Sequence, residues 1–514
     1  MRAAAIALIL LAACDGRGGE DGGASRDAGG RRDAGGRDAG AIDHDASAMD
    51  AGARDAGVAD GAASDGGPLE SDAGTLAPRD RLGVYAWGFD ASGAPSGSRL
   101  AWARSLAAAL GSRVIRVTIA PSDPYGANPT GAFDLASAAA SPEHVALFDD
   151  PAFHTYVITA YTSLGQVSAW SDGFDASEIA AERAAFDALA RRLASAHPDK
   201  TFILSNWEGD NAIAPFAGSA TAWAGYLEWT RARAEGIADA RASVGGRVYS
   251  AVELNLVRSL TTGAPCGGTT RCVLTDVAAA VPTDYVSYSA YQSVGAADDA
   301  TVGAALRTDL DTILAVLRAS DPSVGPGHVL IGEVGFAREI TGECHAATRT
   351  ARTFEAALDW GVRLAIDWQL VDNVPLGGQN EWTGFGLYRP DGTESLLAAA
   401  LRPGFATGTP SPPSASCPAI NPGGVVDGVT FTPTIHPDST ISIFGTGFAA
   451  VGNVVHVWTP TTRYTIEAGS PFFYESPSQI NATLPSPAPA SAVVVFVTSA
   501  GHDSNAQLVD IVSR

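Results

Sequence analysis

Two glutamates stand at the ends of predicted strands, in settings that suit acid and base chemistry. Glu208 lies within Ser205–Asp210, read SNWEGD, and Glu333 lies within Gly332–Gly335, read GEVG. A pair of carboxyl groups can cleave a glycosidic bond, because one protonates the leaving oxygen while the other attacks the anomeric carbon or activates a water. Asp210 is a further candidate carboxylate. The alternative for each is the usual fate of an acidic side chain, a solvated position on a surface loop.

The elements that would bring the two glutamates together are eight βα units in a domain predicted over residues 79–402. Short β-branched or aromatic runs alternate there with Ala-rich amphipathic stretches, which is the pattern of helices around a parallel sheet. Eight units predict a (β/α)8 TIM barrel, an α/β fold whose chemistry sits at the C-terminal ends of the strands. The predicted strands are Leu82–Trp87, Val114–Ile119, Tyr156–Tyr161, Thr201–Asn206, Val248–Val252, Tyr285–Ser289, Val329–Gly332 and Leu364–Trp368. The clearest predicted helices are Arg99–Leu110, Ser177–Ala196, Ala222–Ala242, Val302–Ala319 and Arg349–Trp360.

This ordered set of strand ends resembles the largest clan of retaining (β/α)8 glycoside hydrolases. The resemblance implies that Glu208, after strand four, is the acid/base and that Glu333, after strand seven, is the nucleophile. It implies further that Arg116 lies near the nucleophile, that Tyr291 hydrogen-bonds it, and that Trp368 forms the floor of the sugar site. The activity that it implies is hydrolysis or transglycosylation of a β-linked polysaccharide or oligosaccharide, without a cofactor.

One position departs from the pattern of the clan, which has Asn immediately before the acid/base. Here Trp207 intervenes, and Asn206 lies two positions before the glutamate. Either a bulge restores Asn206 to the 2-hydroxyl of the sugar, or that contact is lost or supplied elsewhere. Asn206 and Trp207 are therefore candidate substrate-binding residues, although Trp207 and Trp368 would also suit a protein core. The departure keeps a second function open, that of a non-catalytic surface protein whose barrel binds glycan or a partner.

The N-terminus predicts an exported, lipid-anchored protein. A basic residue and the apolar run Ala3–Leu11 precede Cys14, and the run is shorter than the roughly 20 residues that span a membrane. The segment Leu11–Cys14 resembles the lipobox of bacterial lipoproteins, which implies removal of a signal peptide and lipidation of Cys14. The alternative is an ordinary signal peptide with an incidental Cys. The anchor would hold the chain at the cell envelope, at the periplasmic face or the cell surface.

Residues 15–78 are predicted to be a disordered tether. They consist almost entirely of Asp, Ala, Gly and Arg, and such sequence buries too little apolar surface to offset its ordering entropy. The recurring Asp-Ala-Gly lacks the strand residues of calcium-binding repeats. The formal net charge of the chain is −23, which argues against nucleic acid or an anionic membrane surface as a partner.

Four further cysteines would lie in an oxidising compartment. Cys266 and Cys272 flank a short polar turn, and we expect a local disulfide between them. Cys344 and Cys417 either pair with each other or stay free, since sequence does not determine connectivity. Cys344 with His345 is weak evidence for a metal site, because no third or fourth ligand follows at zinc spacing. No metal is expected.

The C-terminal part is predicted to be a small immunoglobulin-like β-sandwich over residues 419–514, after a Pro/Ser-rich linker at 403–418. Its composition shifts to Val, Thr, Ile and Gly with turns marked by Pro. The predicted strands are Ser439–Phe444, Val454–Trp458, Arg463–Ile466, Gln479–Leu484 and Ala492–Thr498. Ile441–Phe448 and Ser476–Pro485 resemble segments of IPT/TIG domains, which implies a spacer or binding module. A structural role is favoured over sugar binding, since the domain carries no catalytic constellation.

Overall fold

The computed structural model describes residues 76–87, 98–163, 169–266, 269–295, 297–372, 384–413, 417–428, 435–436, 439–458, 462–470, 473–484 and 492–511. Cys14, the predicted signal segment and residues 15–75 of the predicted tether lie outside this set. The described residues belong to one compact unit. None of the helices in these ranges is long and apolar enough to cross a membrane.

The predicted barrel is confirmed, because eight parallel strands close in the order of the sequence. Strand β1 pairs with both β2 and β8, so that Gly83 aligns with Val114 on one side and with Ile366 on the other. Closure brings the C-terminal ends of all eight strands to one rim. The strands are β1 Leu82–Tyr85, β2 Val114–Ile119, β3 Thr155–Ala160, β4 Thr201–Ser205, β5 Arg247–Leu254, β6 Tyr285–Ser289, β7 Val329–Val334 and β8 Ala365–Asp367.

The helices around the barrel begin at side chains suited to capping. Ser98 accepts a hydrogen bond from the Ala101 amide at the start of the first helix, and Asp175 forms a capping box with Glu178 at the start of the fourth. The five clearest predicted helices are all present. The α-helices are α1 Arg99–Leu110, α2 Leu135–Ala139, α3 Pro142–Phe148, α4 Ala176–Ala196, α5 Gly209–Ile213, α6 Ala220–Val244, α7 Val257–Thr262, α8 Tyr291–Val294, α9 Val302–Ser320, α10 Arg338–Thr341, α11 Glu343–Trp360 and α12 Leu396–Thr407.

The last barrel helix corrects the start of the predicted linker. Helix α12 continues through Pro403 to Thr407, whereas the linker was expected to begin at Pro403. A proline inside a helix has no amide hydrogen and removes one backbone hydrogen bond. Leu401 and Phe405, on either side of it, are buried in the barrel core, and burial of two such side chains is worth several kcal/mol. Packing therefore outweighs the lost hydrogen bond.

The C-terminal domain consists of two antiparallel sheets, as expected for a β-sandwich. Their strand orders are β13-β14-β10-β9 and β12-β11-β15-β16, with β17 paired to β15. Ile441 and Ile443 from the first sheet meet Val455 and Val495 from the second in a common core. The strands are β9 Ala419–Asp427, β10 Thr440–Thr446, β11 Val454–Trp458, β12 Arg463–Ile466, β13 Tyr474–Glu475, β14 Gln479–Thr483, β15 Ala492–Ser499, β16 His502–Asp503 and β17 Gln507–Asp510.

The barrel and the sandwich meet at the start of α11. A disulfide joins Cys344 of that helix to Cys417 at the entry of the sandwich. The neighbouring His345 lies between the Asp299 carboxylate and the Pro418 carbonyl, at 2.6 and 3.0 Å. We call Asp299, His345, Arg349 and the disulfide Cys344–Cys417 the joint. The second disulfide, Cys266–Cys272, lies in the long insert after β5.

Candidate active site

Glu208 lies at the barrel rim with a strained backbone and a firmly held carboxyl group. Strand β4 ends at Ser205, and Glu208 has φ 21° and ψ 74°, near the left-handed region that residues with a Cβ rarely adopt. Such a conformation typically carries on the order of 1–3 kcal/mol of strain. Ser289 Oγ donates to Oε1 at 2.5 Å, and Asn211 Nδ2 donates to Oε2 at 2.5 Å. The carboxyl group is therefore fixed from two sides.

Glu333 lies on β7, next to the residue of β6 that bonds to Glu208. Its register partner on β6 is Ser289, the residue that donates to Glu208, and its carbonyl accepts the Ala290 amide at 2.8 Å. The register shifts at this point, because β7 carries an irregularity between its pairings with β6. Both carboxyl groups are nearly inaccessible, with Glu208 2% and Glu333 1% exposed. The ends of β4 and β7 thus bring two buried carboxyl groups to the same part of the rim.

A third glutamate, which the sequence analysis did not single out, completes the cluster. Glu253 lies near the end of β5 and forms a two-pronged ion pair with Arg116 of β2, at 2.6 and 2.9 Å. Its carboxylate also accepts hydrogen bonds from Ser287 Oγ at 2.7 Å and from the Glu208 amide at 3.2 Å. Four donors on two oxygens is the pattern of an ionised carboxylate. The side chains of Arg116 and Glu253 are both 0% exposed.

Gly332 is required for this ion pair. A Cβ at that position would lie 2.0 Å from Ser287 Oγ, 2.3 Å from Glu253 Oε2 and 3.0 Å from Arg116 Nη1. The Gly332 carbonyl instead accepts a hydrogen bond from Arg116 Nη1 at 2.9 Å. The glycine before Glu333 therefore lets the pair pack against β7 and ties it to the backbone of the proposed nucleophile.

Burial dominates the proton affinity of the two rim glutamates. It raises the pKa of Glu208 to about 7, and the nearby Glu253 carboxylate contributes to the rise. Burial also raises the pKa of Glu333 well above its usual range, and the Glu208 carboxylate raises it further. Arg116 lowers both pKa values without cancelling these effects. Since the interaction of two carboxyl groups is mutual, the pair retains a proton near neutral pH, and one member can act as acid while the other is a base.

Arg116 and Tyr291, which the resemblance implied to lie near the nucleophile, both lie close to the end of β7. Arg116 makes its close carboxylate contact with Glu253 and reaches β7 through the Gly332 carbonyl. The Tyr291 side chain lies close enough to Glu333 to lower the pKa of its carboxyl group. The carboxylate that Arg116 contacts directly is therefore that of Glu253, which the resemblance did not include.

The side-chain amide of Asn206 is bonded to groups of the protein. Its Oδ1 accepts the Glu253 amide at 2.8 Å, and its Nδ2 donates to the Glu253 carbonyl and to Tyr226 Oη at 3.2 Å each. The side chain of Asn206 is therefore held by the backbone of β5 and is not turned outward by a bulge. Instead the extra residue, Trp207, is held through its amide by Tyr161 Oη at 2.9 Å, and the Asn206 amide continues the pairing of β4 with β5.

Trp368 forms part of an aromatic wall at the rim. Its ring lies edge-on to Tyr85, with centroids 4.9 Å apart, and 6.4 Å from the ring of Trp87. Trp368 is 9% exposed, and the Arg116 guanidinium stacks over Tyr85 at 4.4 Å. Through Tyr85, this wall extends from Trp368 at the end of β8 to Arg116 of the ion pair with Glu253.

Asp210 has a structural role. Its Oδ2 accepts the amides of Asn255 and Leu256 at 3.0 and 3.2 Å, and its Oδ1 accepts the Val273 amide at 2.8 Å. These bonds fasten the insert after β5 to the loop after β4. Because both oxygens are occupied by backbone groups, Asp210 is not available as the alternative catalytic carboxylate.

The residues that sequence reasoning missed are Glu253, Ser289 and Asn211. For Glu253 a signal existed, since it directly follows the predicted strand Val248–Val252, and the same rule selected Glu208 and Glu333. Ser289 and Asn211 are small polar residues whose role depends on side-chain direction, which spacing does not reveal.

The chain matches no family model and no curated protein. Among solved structures it is similar to Bacteroides uniformis β-glucuronidase 2 bound to an aziridine, at 10% identity and a TM-score of 0.41, over 85% of this chain and 46% of that one. It is also similar to GH5_18 from Streptomyces cattleya in complex with GlcNAc, at 17% identity and a TM-score of 0.44, over 66% of this chain and 83% of that one. A third similar structure is Bifidobacterium dentium β-glucuronidase, at 14% identity and a TM-score of 0.40, over 63% of this chain and 46% of that one. The chain thus spans less than half of both β-glucuronidases, and the fold assignment rests on the strand order of the barrel itself.

Proposed function

We propose that the barrel is a retaining glycoside hydrolase or transglycosylase acting on a β-linked polysaccharide or oligosaccharide. The observation that carries the proposal is the meeting of two buried carboxyl groups at the C-terminal rim, where Ser289 bonds to Glu208 and aligns with Glu333. Glu208 is the proposed acid/base and Glu333 the proposed nucleophile. A buried pair that holds one proton supplies both roles at neutral pH.

In the first step the proton of Glu208 passes to the glycosidic oxygen as the bond from that oxygen to the anomeric carbon breaks. An oxygen of Glu333 bonds to the same carbon and gives a glycosyl ester. The reactive arrangement has the proton on Glu208 and the charge on Glu333. Burial and the Glu208 carboxylate raise the pKa of Glu333, and the charge of Arg116 opposes that rise, so this arrangement requires the shared proton to lie on Glu208 when substrate is bound.

In the second step Glu208 acts as a base. Once Glu333 is esterified its negative charge is gone, so the pKa of Glu208 falls and its carboxylate can take a proton from water. The water oxygen bonds to the anomeric carbon while the ester bond breaks, and the electron pair returns to Glu333. A sugar hydroxyl in place of water gives transglycosylation.

The test is the stereochemistry of the product. The purified chain is screened against aryl β-glycosides and β-linked oligosaccharides, and proton NMR records the anomeric signal in the first minutes, before mutarotation. We expect the β-anomer first. An α-anomer first would contradict the retaining mechanism, and absence of turnover on every substrate would favour the second candidate.

The second candidate is a barrel that binds glycan or a partner without cleaving it. The observation that favours it is the engagement of the Asn206 amide by the Glu253 backbone, which leaves the expected 2-hydroxyl contact to other groups. Calorimetric titration with the same oligosaccharides separates the candidates, since a binder shows saturation with no product.

We also propose that the protein is anchored to the cell envelope through lipidated Cys14, with the C-terminal sandwich as an IPT/TIG-like spacer. The support is the lipobox-like Leu11–Cys14 and the low-complexity segment after it. Replacing Cys14→Ser is expected to release the protein from the membrane fraction and to remove the mass of the lipid. A variant that stays membrane-bound at unchanged mass would contradict the anchor.

A further inference from the structure

We propose that Glu253 is a positioning residue of the reaction, which holds Arg116 against β7 and offsets part of the effect of its positive charge on Glu208 and Glu333. The proposal rests on the function proposed above, since it assigns a task to Glu253 within the same site. It starts from one observation. The single guanidinium in the cluster makes its two-pronged contact with Glu253, not with either proposed catalytic carboxylate.

Arg116 is fixed on every side. Its Nε and Nη2 donate to Thr159 Oγ1 at 3.1 and 2.9 Å, and Nη1 reaches the Gly332 carbonyl at 2.9 Å. Stacking over Tyr85 closes the remaining face. Because the Gly332 carbonyl belongs to the peptide that leads into Glu333, the position of the guanidinium sets the position of that backbone. Glu253 holds the guanidinium there through two of its bonds.

Glu253 is itself fixed through both its backbone and its side chain. The Asn206 amide makes a two-pronged contact with the amide and the carbonyl of Glu253. The Glu253 carboxylate accepts the amide hydrogen of Glu208, the residue with the strained backbone. A single side chain thus contacts the backbone of the proposed acid/base and, through Arg116, the strand of the proposed nucleophile.

The charges in the cluster are few. Burial raises the pKa of Tyr85, that of Tyr161 to about 12, and that of Tyr226 well above its usual range, so these neighbours stay neutral at working pH. Burial likewise raises the pKa of Asp367 at the end of β8 well above its usual range. Among the described residues, the ionisable groups linked directly by the contacts of this cluster are Arg116, Glu208, Glu253 and Glu333.

The balance between Arg116 and Glu253 therefore controls the other two. Arg116 lowers the pKa of Glu208 and of Glu333, while Glu253 raises both. Removing the charge of Glu253 leaves the guanidinium uncompensated, and an opposite charge at short range lowers a carboxyl pKa by roughly 1–3 units. Removing both charges restores the balance. Electrostatic control thus differs from mere packing, because the double change should cancel the single one.

The experiment compares four full-length variants with the wild type: Glu253→Gln, Arg116→Gln, the double variant, and Glu253→Asp. Two readouts are used, the pH profile of kcat/KM on an activated aryl glycoside and a carbon NMR titration of the glutamate carboxyl signals, which needs no turnover. Asp309→Asn is the control, since Asp309 is a buried carboxylate bonded to Tyr288 and Ser293, and the charge that acts on it is that of Arg258.

We expect Glu253→Gln to move both limbs of the profile and the titration of Glu208 to lower pH by roughly one unit. The double variant should return to within about half a unit of wild type. Glu253→Asp should keep the wild-type profile and lower kcat by roughly 10-fold, because the charge stays while the position shifts. The control should leave the profile unchanged.

An unshifted titration in a folded Glu253→Gln, or a double variant shifted as far as the single one, would overturn the proposal. If Glu253→Gln does not fold, the double variant decides alone, since it leaves no unpaired buried charge and a shift above one unit would contradict the cancellation. If the wild type has no glycosidase activity, the titration still tests the control by Glu253. Loss of the proposed glycosidase function would show as absent turnover, whereas failure of the role proposed for Glu253 would show as an unshifted titration.

Discussion

The barrel rim and the joint are both built from ionisable side chains, but they arrange them in opposite ways. At the rim, three glutamates share one guanidinium, and the side chains of Arg116 and Glu253 are fully buried. At the joint, Asp299 lies between His345 and Arg349, with side-chain exposures of 25, 13 and 20%. At the rim, carboxyl groups outnumber the one guanidinium and water is excluded, whereas at the joint the one carboxylate has two basic partners and water still reaches all three.

This difference between rim and joint shows in the direction of the carboxyl pKa shifts, and therefore in the contribution of each region to stability. Burial raises the pKa of Glu208 to about 7, so ionisation of the folded protein is disfavoured there at neutral pH. Burial would raise the pKa of Asp299 as well, but the hydrogen bonds from His345 and Arg349 lower it below its usual range. One arrangement destabilises the fold at neutral pH and the other stabilises it. Sites of chemistry commonly show the first pattern.

The sharpest test of the comparison is the loss of activity in Glu333→Ala. No glycosyl ester can form without the carboxylate, so kcat should fall by about 10³-fold or more. Added azide should occupy the vacated space and give a glycosyl azide of inverted configuration, detected by NMR. A matched change at the joint, Asp299→Ala, should leave kcat within about twofold. Substantial turnover by Glu333→Ala would refute the assignment.

The next effect concerns the stability of the rim. Arg116→Met leaves Glu253 buried without its partner, and breaking a buried pair from one side typically destabilises by about 3–5 kcal/mol. Urea unfolding followed by circular dichroism measures the free energy of unfolding. Arg183→Met is the control, because Arg183 pairs with Glu235 and Asp239 on the surface, where the loss should stay below about 1 kcal/mol. Equal losses of unfolding free energy in the two variants would mean that burial does not make the Arg116–Glu253 pair more important for stability than a surface pair.

The joint should respond to loss of its disulfide. Cys344 and Cys417 are 73 positions apart, and replacing both by Ser should lower the free energy of unfolding by about 2–4 kcal/mol, since the unfolded chain regains freedom. Replacing Cys266 and Cys272, which are 6 positions apart, should lower it less. Urea unfolding under non-reducing conditions compares the two. A larger loss for the short loop would argue against the unfolded-state explanation.

A change at the rim should also stabilise the fold. The folded-state pKa of Glu208, about 7, is above that of an unfolded glutamate, so stability falls as pH rises between the two values. Glu208→Gln removes this penalty and should raise the free energy of unfolding at pH 8 by about 1–2 kcal/mol. Asp210→Asn should lower the free energy of unfolding at both pH values, although burial raises the pKa of Asp210 as well, because one amide oxygen cannot replace two carboxylate oxygens that accept three backbone amides. Thermal unfolding at pH 5 and pH 8 distinguishes these cases.

The sequence predicted the scaffold better than the contacts within it. The eight barrel strands follow from β-branched runs, because a strand buried on both faces leaves a continuous apolar signature. Strand β9 was missed, since Pro422-Gly423-Gly424 within it is typical of a turn. The strand survives as an irregular edge whose register on β10 shifts between Ile443 and Gly445. Local propensity gave way there to pairing with a neighbour that is distant in sequence.

Within the site, the sequence predicted which strands carry carboxylates but not where the side chains point. Glu208 and Glu333 were found because residues after apolar strands reach the rim of a barrel. The direction of Asn206 depends on one extra residue, Trp207, and on a partner on β5, neither of which spacing resolves. Glu253 directly follows the predicted fifth strand but was not singled out, and the strand itself runs two residues further, to Leu254. Its ion pair with Arg116 joins positions 137 apart in the chain.

The smallest expected effect, and the one that sharpens the comparison most, is at Asp299 of the joint. Its lowered pKa means that Asp299→Asn removes stability that is present above the unfolded pKa of about 3.9 and is lost as pH falls through the folded value. We therefore expect a loss of roughly 1 kcal/mol or less at pH 6, which shrinks towards pH 3. Asp359→Asn, in the exposed pair with Arg307, is the control and should change little at either pH. Measured by urea unfolding across this range, the pH trend at Asp299 should have the opposite sign to that at Glu208, because one carboxylate is favoured by its neighbours and the other is not. Parallel trends at the two positions would remove the distinction between rim and joint.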